Sequence, residues 1–526
     1  MLHSPMALIR QNAISAVLAI TIFAQVAQGQ HGEPVIAPAP PPQFQLSDSA
    51  PSVENIVERL QRAEAALAEL QSQQLQLGGT QSAPYQVQAA NAAALTADDL
   101  SIQERVQALE KEHQKQIDSA VKKKADDASK PTFKFNGRVH ADYWAFPQTD
   151  AGANAYETGS ATDSVDDRFL FRRIRMEISG TIPDNMVYRM QVDFGVPNDP
   201  QIKDVYIGWE ELPLLQTLLI GHQKRPYGLD HLNSSRYNVF LERPGVVEAF
   251  NQDARRFGVC SYGVSENEAY NWRFGAYMSQ DMQGLGIAQA TPIAEAYQAE
   301  FAGRFANTIW YDEASDGRGF AHWAVVGSIA GTDGNADGAS TARFRTRPLA
   351  RTTNRWEDTG VILNATSYQL IGFEGLLNTG PVQWVTEYQH ISMQRSVGPD
   401  LSFDGTYAYV SYFLTGESMT WDRETGQLDR LTPFENFFLV RTCDDCVDGG
   451  WGAWQIAARY DHLDLTDDNI AGGVLDSFTL GLNWHWNPYA KVQFNYILGE
   501  INDHRPVDGQ TTANYQIIGT RFCCEF

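Results

Sequence analysis

The chain has 526 residues, of which 43% are hydrophobic, 11% aromatic and 20% charged, with a formal net charge of -24. That length suits two or three ordinary domains or one large barrel with an appendage, and so acidic a balance argues against a nucleic-acid partner. Past Gln30 no run of roughly eighteen apolar residues occurs, which excludes a membrane-spanning helix.

Arg10 precedes an apolar stretch from Ala13 to Val26, and Ala27-Gln28-Gly29 offers small residues where a signal peptidase cuts, so residues 1–29 read as a secretory signal. Export without a helical anchor leaves a periplasmic or secreted protein, or an outer-membrane barrel. Residues 30–52 are rich in Pro and Ala and suit an extended linker. From Val53 the apolar positions Val53, Ile56, Leu60, Ala63, Leu67 and Leu70 alternate steps of three and four, a heptad pattern. A weaker stretch uses Ile102, Val106, Leu109 and Ile117. Residues 53–130 are therefore expected to form an α-helical coiled-coil extension, an ordinary amphipathic helix being the alternative.

From Phe133 the apolar period becomes two. Val492, Phe494 and Tyr496 alternate with Lys491, Gln493 and Asn495, and Phe478, Leu480, Leu482, Trp484 and Trp486 share one face of the preceding segment. The same alternation recurs to the end of the chain and gives about sixteen strands of roughly 9–14 residues, as long as a tilted strand needs to cross a bilayer. A soluble sandwich would use strands of about five or six residues. Phe526, with Phe522, Thr520 and Ile518 on one parity, resembles the terminal strand by which outer-membrane barrels are recognised. The predicted fold is all-β, a 16-stranded antiparallel transmembrane barrel over 131–526 with the coiled coil ahead of it.

If one parity faces lipid, the other lines the lumen, and it carries Lys134, Arg138, Arg173, Arg175, Arg189, Arg304 and Arg459 together with Asp142, Glu177 and Asp193. Both signs are present, so inserted loops are expected to decide selectivity. Three connections are long: 223–253, 331–360 and 416–450. The second holds Arg343, Arg345, Arg347, Arg351 and Arg355 with no acid between Gly338 and Trp356. At i, i+2 and i+4 the first three fall on one face of an extended chain and make a ladder of fixed positive charge. A solvated surface loop is the alternative reading. The third falls by strand count on the periplasmic side, where turns are short, and is expected to fold back into the lumen. Cys443 and Cys446, at CxxC spacing in an exported chain, point to a local disulfide pinching it. No second CxxC or His pair lies nearby, so no metal or other cofactor is expected. Adjacent Cys523 and Cys524 fit opposite faces of a strand. Neither GxSxG nor HExxH occurs, and no enzyme is expected.

Several segments together resemble the phosphate-selective porin O and P family. They are Lys203-Asp204-Val205-Tyr206-Ile207-Gly208, Gly221-His222-Gln223-Lys224-Arg225-Pro226-Tyr227-Gly228-Leu229-Asp230, Ser234-Ser235, Glu242-Arg243, Leu414-Thr415-Gly416-Glu417-Ser418, Gly452-Ala453-Trp454 and Leu480-Gly481-Leu482-Asn483-Trp484. The resemblance covers about 131–526. It implies a homotrimer of sixteen-stranded barrels in the outer membrane, with an arginine ladder leading to a central anion site. Carried over, the ladder is Arg343, Arg345, Arg347 and Arg351, continued by Arg355, and the central site is Asp204, Ser234, Ser235 and Arg243. His231 stands where well-known members have lysine.

Arginine presents planar N–H donors to two oxygens of an oxyanion at once, and Ser hydroxyls complete a shell replacing lost water. Several weak sites in series let an ion enter and leave. A histidine with an ordinary pKa of about 6.5 would make affinity rise as pH falls toward 6. The expected function is passive, anion-selective uptake of phosphate or related oxyanions such as polyphosphate or sulfate. The alternative is a structural envelope barrel whose coiled coil tethers the outer membrane to peptidoglycan or another periplasmic partner.

Overall fold

A computed structural model describes residues 130–526 apart from 184, 196–199, 252–253, 280–298, 335–339 and 444–445, together with Lys111, Gln114, Lys115 and Ser119, which are helical. The signal peptide, linker and coiled coil expected ahead of the barrel otherwise lie outside the described residues.

The period-two segments form sixteen long strands: β1 (Lys134–Thr149), β2 (Arg168–Ile182), β3 (Met186–Asp193), β4 (Gln201–Leu212), β5 (Gln216–Lys224), β6 (Arg255–Val264), β7 (Tyr270–Met278) and β8 (Ala299–Tyr311). They continue as β9 (Gly319–Gly331), β10 (Ala365–Thr379), β11 (Val382–Arg395), β12 (Leu401–Phe413), β13 (Ala453–Asp467), β14 (Ile470–Asn487), β15 (Ala490–His504) and β16 (Ala513–Glu525). Each pairs antiparallel with the next, and β1 pairs with β16, placing Tyr143 opposite Thr520 and closing the barrel. Alternation along each strand turns a soluble protein inside out. Phe169, Phe171, Met176, Phe257, Phe274, Phe301, Ile329 and Phe373 are exposed on the outside, while Arg138, Asp142, Glu177, Arg304, Glu374 and Arg459 are buried inside. Such a surface suits a barrel whose outer solvent is lipid.

Most turns at the end bearing the first strand's start are short; the other end carries the long loops, as in a barrel whose short turns face the periplasm. Three connections enter the lumen. The third outer loop, 225–254, contains helices α2 (Leu229–Leu232) and α3 (Gly245–Phe250), and the fifth, 332–364, runs beside it, with Arg345-Thr346 paired to Glu357-Asp358. The first outer loop contributes α1 (Ala151–Thr158), started by Asp150, whose carboxylate accepts from the Ala153 N–H at 2.9 Å, and ended by Gly159 at φ +83°. The periplasmic connection 414–452 has two arms. A hairpin of Thr420–Asp422 with Gln427–Asp429 enters the lumen, held by the Trp421 indole donating to Thr308 at 3.1 Å and the Leu428 N–H donating to Asn233 at 3.0 Å.

The lumen-entering arm is thus separate from the cysteines, a correction to the expected pinch. Cys443 faces Cys446 in a second hairpin, Phe438–Cys443 with Cys446–Gly450, whose side chains there lie outside the described ones. Its base turns outward, because Phe437 packs on Trp484 and Trp486, 4.4 and 5.7 Å between centroids. Cys523 is buried and Cys524 exposed, on opposite faces of β16, and both are free thiols, as is Cys260.

The hydrophobic core lies inside the barrel. Phe240, Leu241, Phe250, Phe344 and Trp356 from the inserted loops pack on Phe403, Tyr407, Leu463, Leu475 and Tyr515 of β12 to β16.

Candidate functional site

Opposite that core a chamber of about 770 Å³ remains open. On the wall side it is lined by residues of β1 to β7 only, and on the loop side by both inserted outer loops and the lumen-entering periplasmic hairpin. Its lining holds thirteen arginines and two lysines, Lys203 and Lys224, against six carboxylates, Asp193, Asp204, Glu242, Glu248, Asp422 and Asp429. In an acidic chain, positive charge has been concentrated here.

A break in alternation adds to it. Between His140 and Ala141 the pairing of β1 with β2 skips Arg172, a β-bulge that lets Arg172 and Arg173 both face inward. Arg172 is held by Glu242 through two bonds of 2.7 and 2.8 Å, and Arg175 by Asp193 at 2.6 Å. Among the described residues Arg173 has no carboxylate partner, and its hydrogen bond goes to His140 Nδ1 at 3.3 Å.

The third loop places the central residues. Gly228, at φ +113°, turns the chain over the Glu387 carboxylate of β11, which accepts from the Leu229 N–H at 3.0 Å and the Asp230 N–H at 2.7 Å. A carboxylate at these otherwise orphan donors fixes α2. The carbonyl oxygens of Leu232 and Asn233 accept from Lys224 Nζ at 2.8 and 3.0 Å. Arg243 donates to the Asp230 and Asn233 carbonyls at 3.0 and 2.9 Å and pairs with the Asp230 carboxylate at 3.1 Å. Ser234 and Ser235 accept from the Arg138 guanidinium at 3.3 and 2.8 Å, so both hydroxyl hydrogens are free to turn toward the chamber. Asp204 is engaged by Arg255 through two bonds of 2.9 and 2.7 Å; it orients an arginine. The four carried-over central residues, and His231 with them, line the one chamber.

His231 is buried, 2% exposed, and burial followed by the charges of Lys224 and Arg243 holds its imidazole well below the ordinary histidine range. Against the expectation of a histidine with an ordinary pKa, burial and four surrounding cations disfavour the charged form of this ring.

The ladder divides. Arg345, Arg347, Arg351 and Arg355 line the chamber. Arg343 does not; it pairs bidentately with Asp358, which also takes Arg505, and lies 38% exposed at the outer side of the loop. The missing acids of the arginine run are supplied from elsewhere in space, since Arg347 meets Glu248 of α3 at 3.0 Å. Arg351 has no carboxylate partner among the described residues. The neighbouring Arg172, then burial and Arg347, push it down to about 9, so it remains protonated at pH 7.

Of the wall residues read by parity, Arg138, Arg173 and Arg175 face the chamber, and Arg459 does not. Arg459 is sealed behind the third loop, bonded to Asp461 at 2.7 Å and the Glu242 carbonyl at 3.0 Å, over the Phe240 ring at 4.5 Å. Sequence reasoning missed Arg172 and Arg255. The doubled arginines at 172–173 and 255–256 were the available signal, since a strand keeps both of two adjacent charges on one side only at a bulge or a strand end.

A closed sixteen-stranded barrel with an apolar exterior and a charged, loop-constricted interior is an outer-membrane porin channel. The chain belongs to the family described as phosphate-selective porin O and P, which it matches over residues 133–526. Porin O of Pseudomonas aeruginosa is 23% identical over 402 residues, 70% of this chain and 82% of that protein. An uncharacterised protein of Caulobacter vibrioides is 25% identical over 405 residues, 75% of this chain and 74% of that one. Among solved structures, OmpT of Vibrio cholerae aligns with TM-score 0.45 and 11% identity over 76% of this chain and 100% of that one. An anion-selective porin from Comamonas acidovorans gives 0.41 and 11% over the same shares.

Proposed function

We propose that this porin passes small oxyanions, phosphate or its relatives polyphosphate and sulfate, into the periplasm by facilitated diffusion. The observation that carries the reading is that Arg138, Arg173, Lys224 and Arg351 line the chamber without a carboxylate partner among the described residues, in a lining where Arg172, Arg175, Arg243 and Arg255 each have one. Cations withdrawn from bulk water require counter-charge, and a passing anion supplies it. Arg345, Arg347, Arg351 and Arg355 draw anions from the outer mouth, their field focused by the low-dielectric walls. Arg138, Lys224, Arg243, Ser234 and Ser235 then offer donors in place of water, with Asp204 holding Arg255 in register. No site binds so deeply as to trap the ion, because neighbouring cations share it. In this reading three copies assemble, as the family resemblance implies.

Planar-bilayer recording tests it. A reversal potential favouring chloride over potassium, and block of the chloride current by phosphate, pyrophosphate or sulfate, are expected. A cation-selective or unblockable current overturns the proposal.

A further inference from the structure

The fifth loop carries four arginines over one chamber, and Arg351 sits among Arg172 and Arg347. Like charges this close repel, so the loop must be held by something other than its own charge. Its near half is secured by the Arg343–Asp358 pair, by Phe344 N–H donating to Thr359 Oγ1 at 3.0 Å, and by Arg505 donating to the Asp358 carbonyl at 2.6 Å. Its far half, 349–356, contains two tight turns, Leu349 N–H to Arg347 O at 2.7 Å and Thr352 N–H to Ala350 O at 3.0 Å, and no strand.

That far half closes on one carboxylate. Glu157, 6% exposed, accepts from the Thr353 N–H at 2.8 Å, the Asn354 N–H at 3.2 Å and the Trp356 indole at 2.9 Å, and its carbonyl accepts from Asn354 Nδ2 at 2.6 Å. Arg168 pairs with the same carboxylate at 3.0 Å. The gripped main chain lies between Arg351 and Arg355. One residue upstream, the Thr352 carbonyl accepts from Arg347 Nε at 2.9 Å, so the grip reaches a third ladder arginine.

Helix stability does not account for Glu157. It occupies the last turn of α1, which has no basic residue there, and a negative charge at a helix C-terminus opposes the macrodipole. α1 itself is fixed to the barrel, because Asp150 also accepts from the Asn514 N–H at 2.8 Å and a Cβ at Gly152 would strike the Thr512 carbonyl. The carboxylate is thus mounted on a rigid support and aimed at the loop.

We propose that Glu157 is a positioning residue for anion permeation, holding Arg347, Arg351 and Arg355 over the chamber against their mutual repulsion; this rests on the oxyanion-channel reading. Two readouts on the full-length protein test it. In bilayers, Glu157→Ala is expected to raise the phosphate concentration giving half-maximal current about five- to tenfold, roughly 1 kcal/mol, with limiting current changed less than about twofold. Glu157→Gln, which keeps one acceptor oxygen, should fall between, and it carries the test if the alanine variant does not assemble. Arg168→Met, which removes the ion pair and the Arg168 bond to Thr353 Oγ1 at 3.0 Å but leaves the main-chain grip on Glu157, should raise half-saturation less than Glu157→Ala does. By hydrogen exchange in detergent, the Thr353 and Asn354 amides should exchange at least about tenfold faster in Glu157→Ala, since each loses its acceptor. Unchanged exchange, or unchanged half-saturation despite faster exchange, overturns this inference alone. A wild-type channel with no saturable phosphate current overturns the channel reading and this inference with it.

Discussion

The inner walls of β1 to β7 and of β10 to β16 are built by the same alternation, yet they do opposite work. On the first, arginines face water across the chamber. On the second, Phe403, Tyr407, Leu463, Leu475 and Tyr515 are covered by the inserted loops, and the charges there, Glu387, Arg459, Asp461 and Arg521, are consumed in pairs and caps. An inward charge is therefore structural or functional according to which half of the barrel it belongs to. The half packed by the loops positions the half that lines the chamber, since Glu387 caps α2 and Arg521 and Arg172 share Glu242.

Matched substitutions can break this division. Arg459→Ala, on the packed half, leaves Asp461, 1% exposed, without its cation and should cost about 3–5 kcal/mol of stability; thermal unfolding in detergent measures it. Arg173→Ala, on the open half, removes a cation whose hydrogen-bond partner among the described residues is a histidine. It should leave unfolding within about 1 kcal/mol of wild type and raise the sulfate concentration for half-block of chloride current about tenfold, or 1.4 kcal/mol. If both variants fail in the same assay, the two halves are not separable.

The fold was legible because lipid outside and charge inside enforce a period of two over long segments, as in Leu480, Leu482 and Trp484 against Thr479, Gly481 and Asn483. Parity also assigned an inward face to Arg138, Arg173, Arg175 and Arg459, and of these Arg138, Arg173 and Arg175 line the chamber. It could not say that Arg459 would be roofed by Phe240, because that depends on where a loop some two hundred residues away comes to rest. The ladder was legible as a charge pattern, whereas the pairing of Arg343 was not, because its acid, Asp358, lies past the end of the run and returns to it only through a hairpin. Arg172 was missed because a bulge shifts parity by one residue, and the burial of His231, on which its pKa depends, is something spacing does not reveal.

Smaller effects sharpen the boundary between loop and wall. Glu357, fully buried on the fifth loop, lies against the packed half; burial, then Asp476 and Asp464, raise its carboxyl well above the ordinary range. A raised carboxyl favours the folded state below its ordinary pKa, about 4.3, and that contribution is lost as pH climbs toward the folded value. Glu357→Gln, neutral at every pH, should therefore melt higher than wild type at pH 8, with the gain vanishing near pH 4. Within the ladder, Arg343→Ala should change sulfate block less than about twofold, since an exposed, paired arginine contributes little, and Arg351→Ala several times more.

The smallest expected effect is the most discriminating for the central site. His231 lines the chamber among Lys224, Arg243, Arg225 and Arg255, and burial with those charges keeps it neutral. Its folded pKa lies below 6.5, so protonation at pH 6 would oppose the fold, and the ring does not gain charge between pH 8 and 6. Sulfate stays a dianion across that range, so its block of chloride current reports the site's charge alone. Block should be equal at pH 6 and 8 in wild type and in His231→Gln alike. Stronger block at pH 6 in wild type, abolished by His231→Gln, would place a titrating cation in the site, and the ring would then have to reach water that the packed loop denies it.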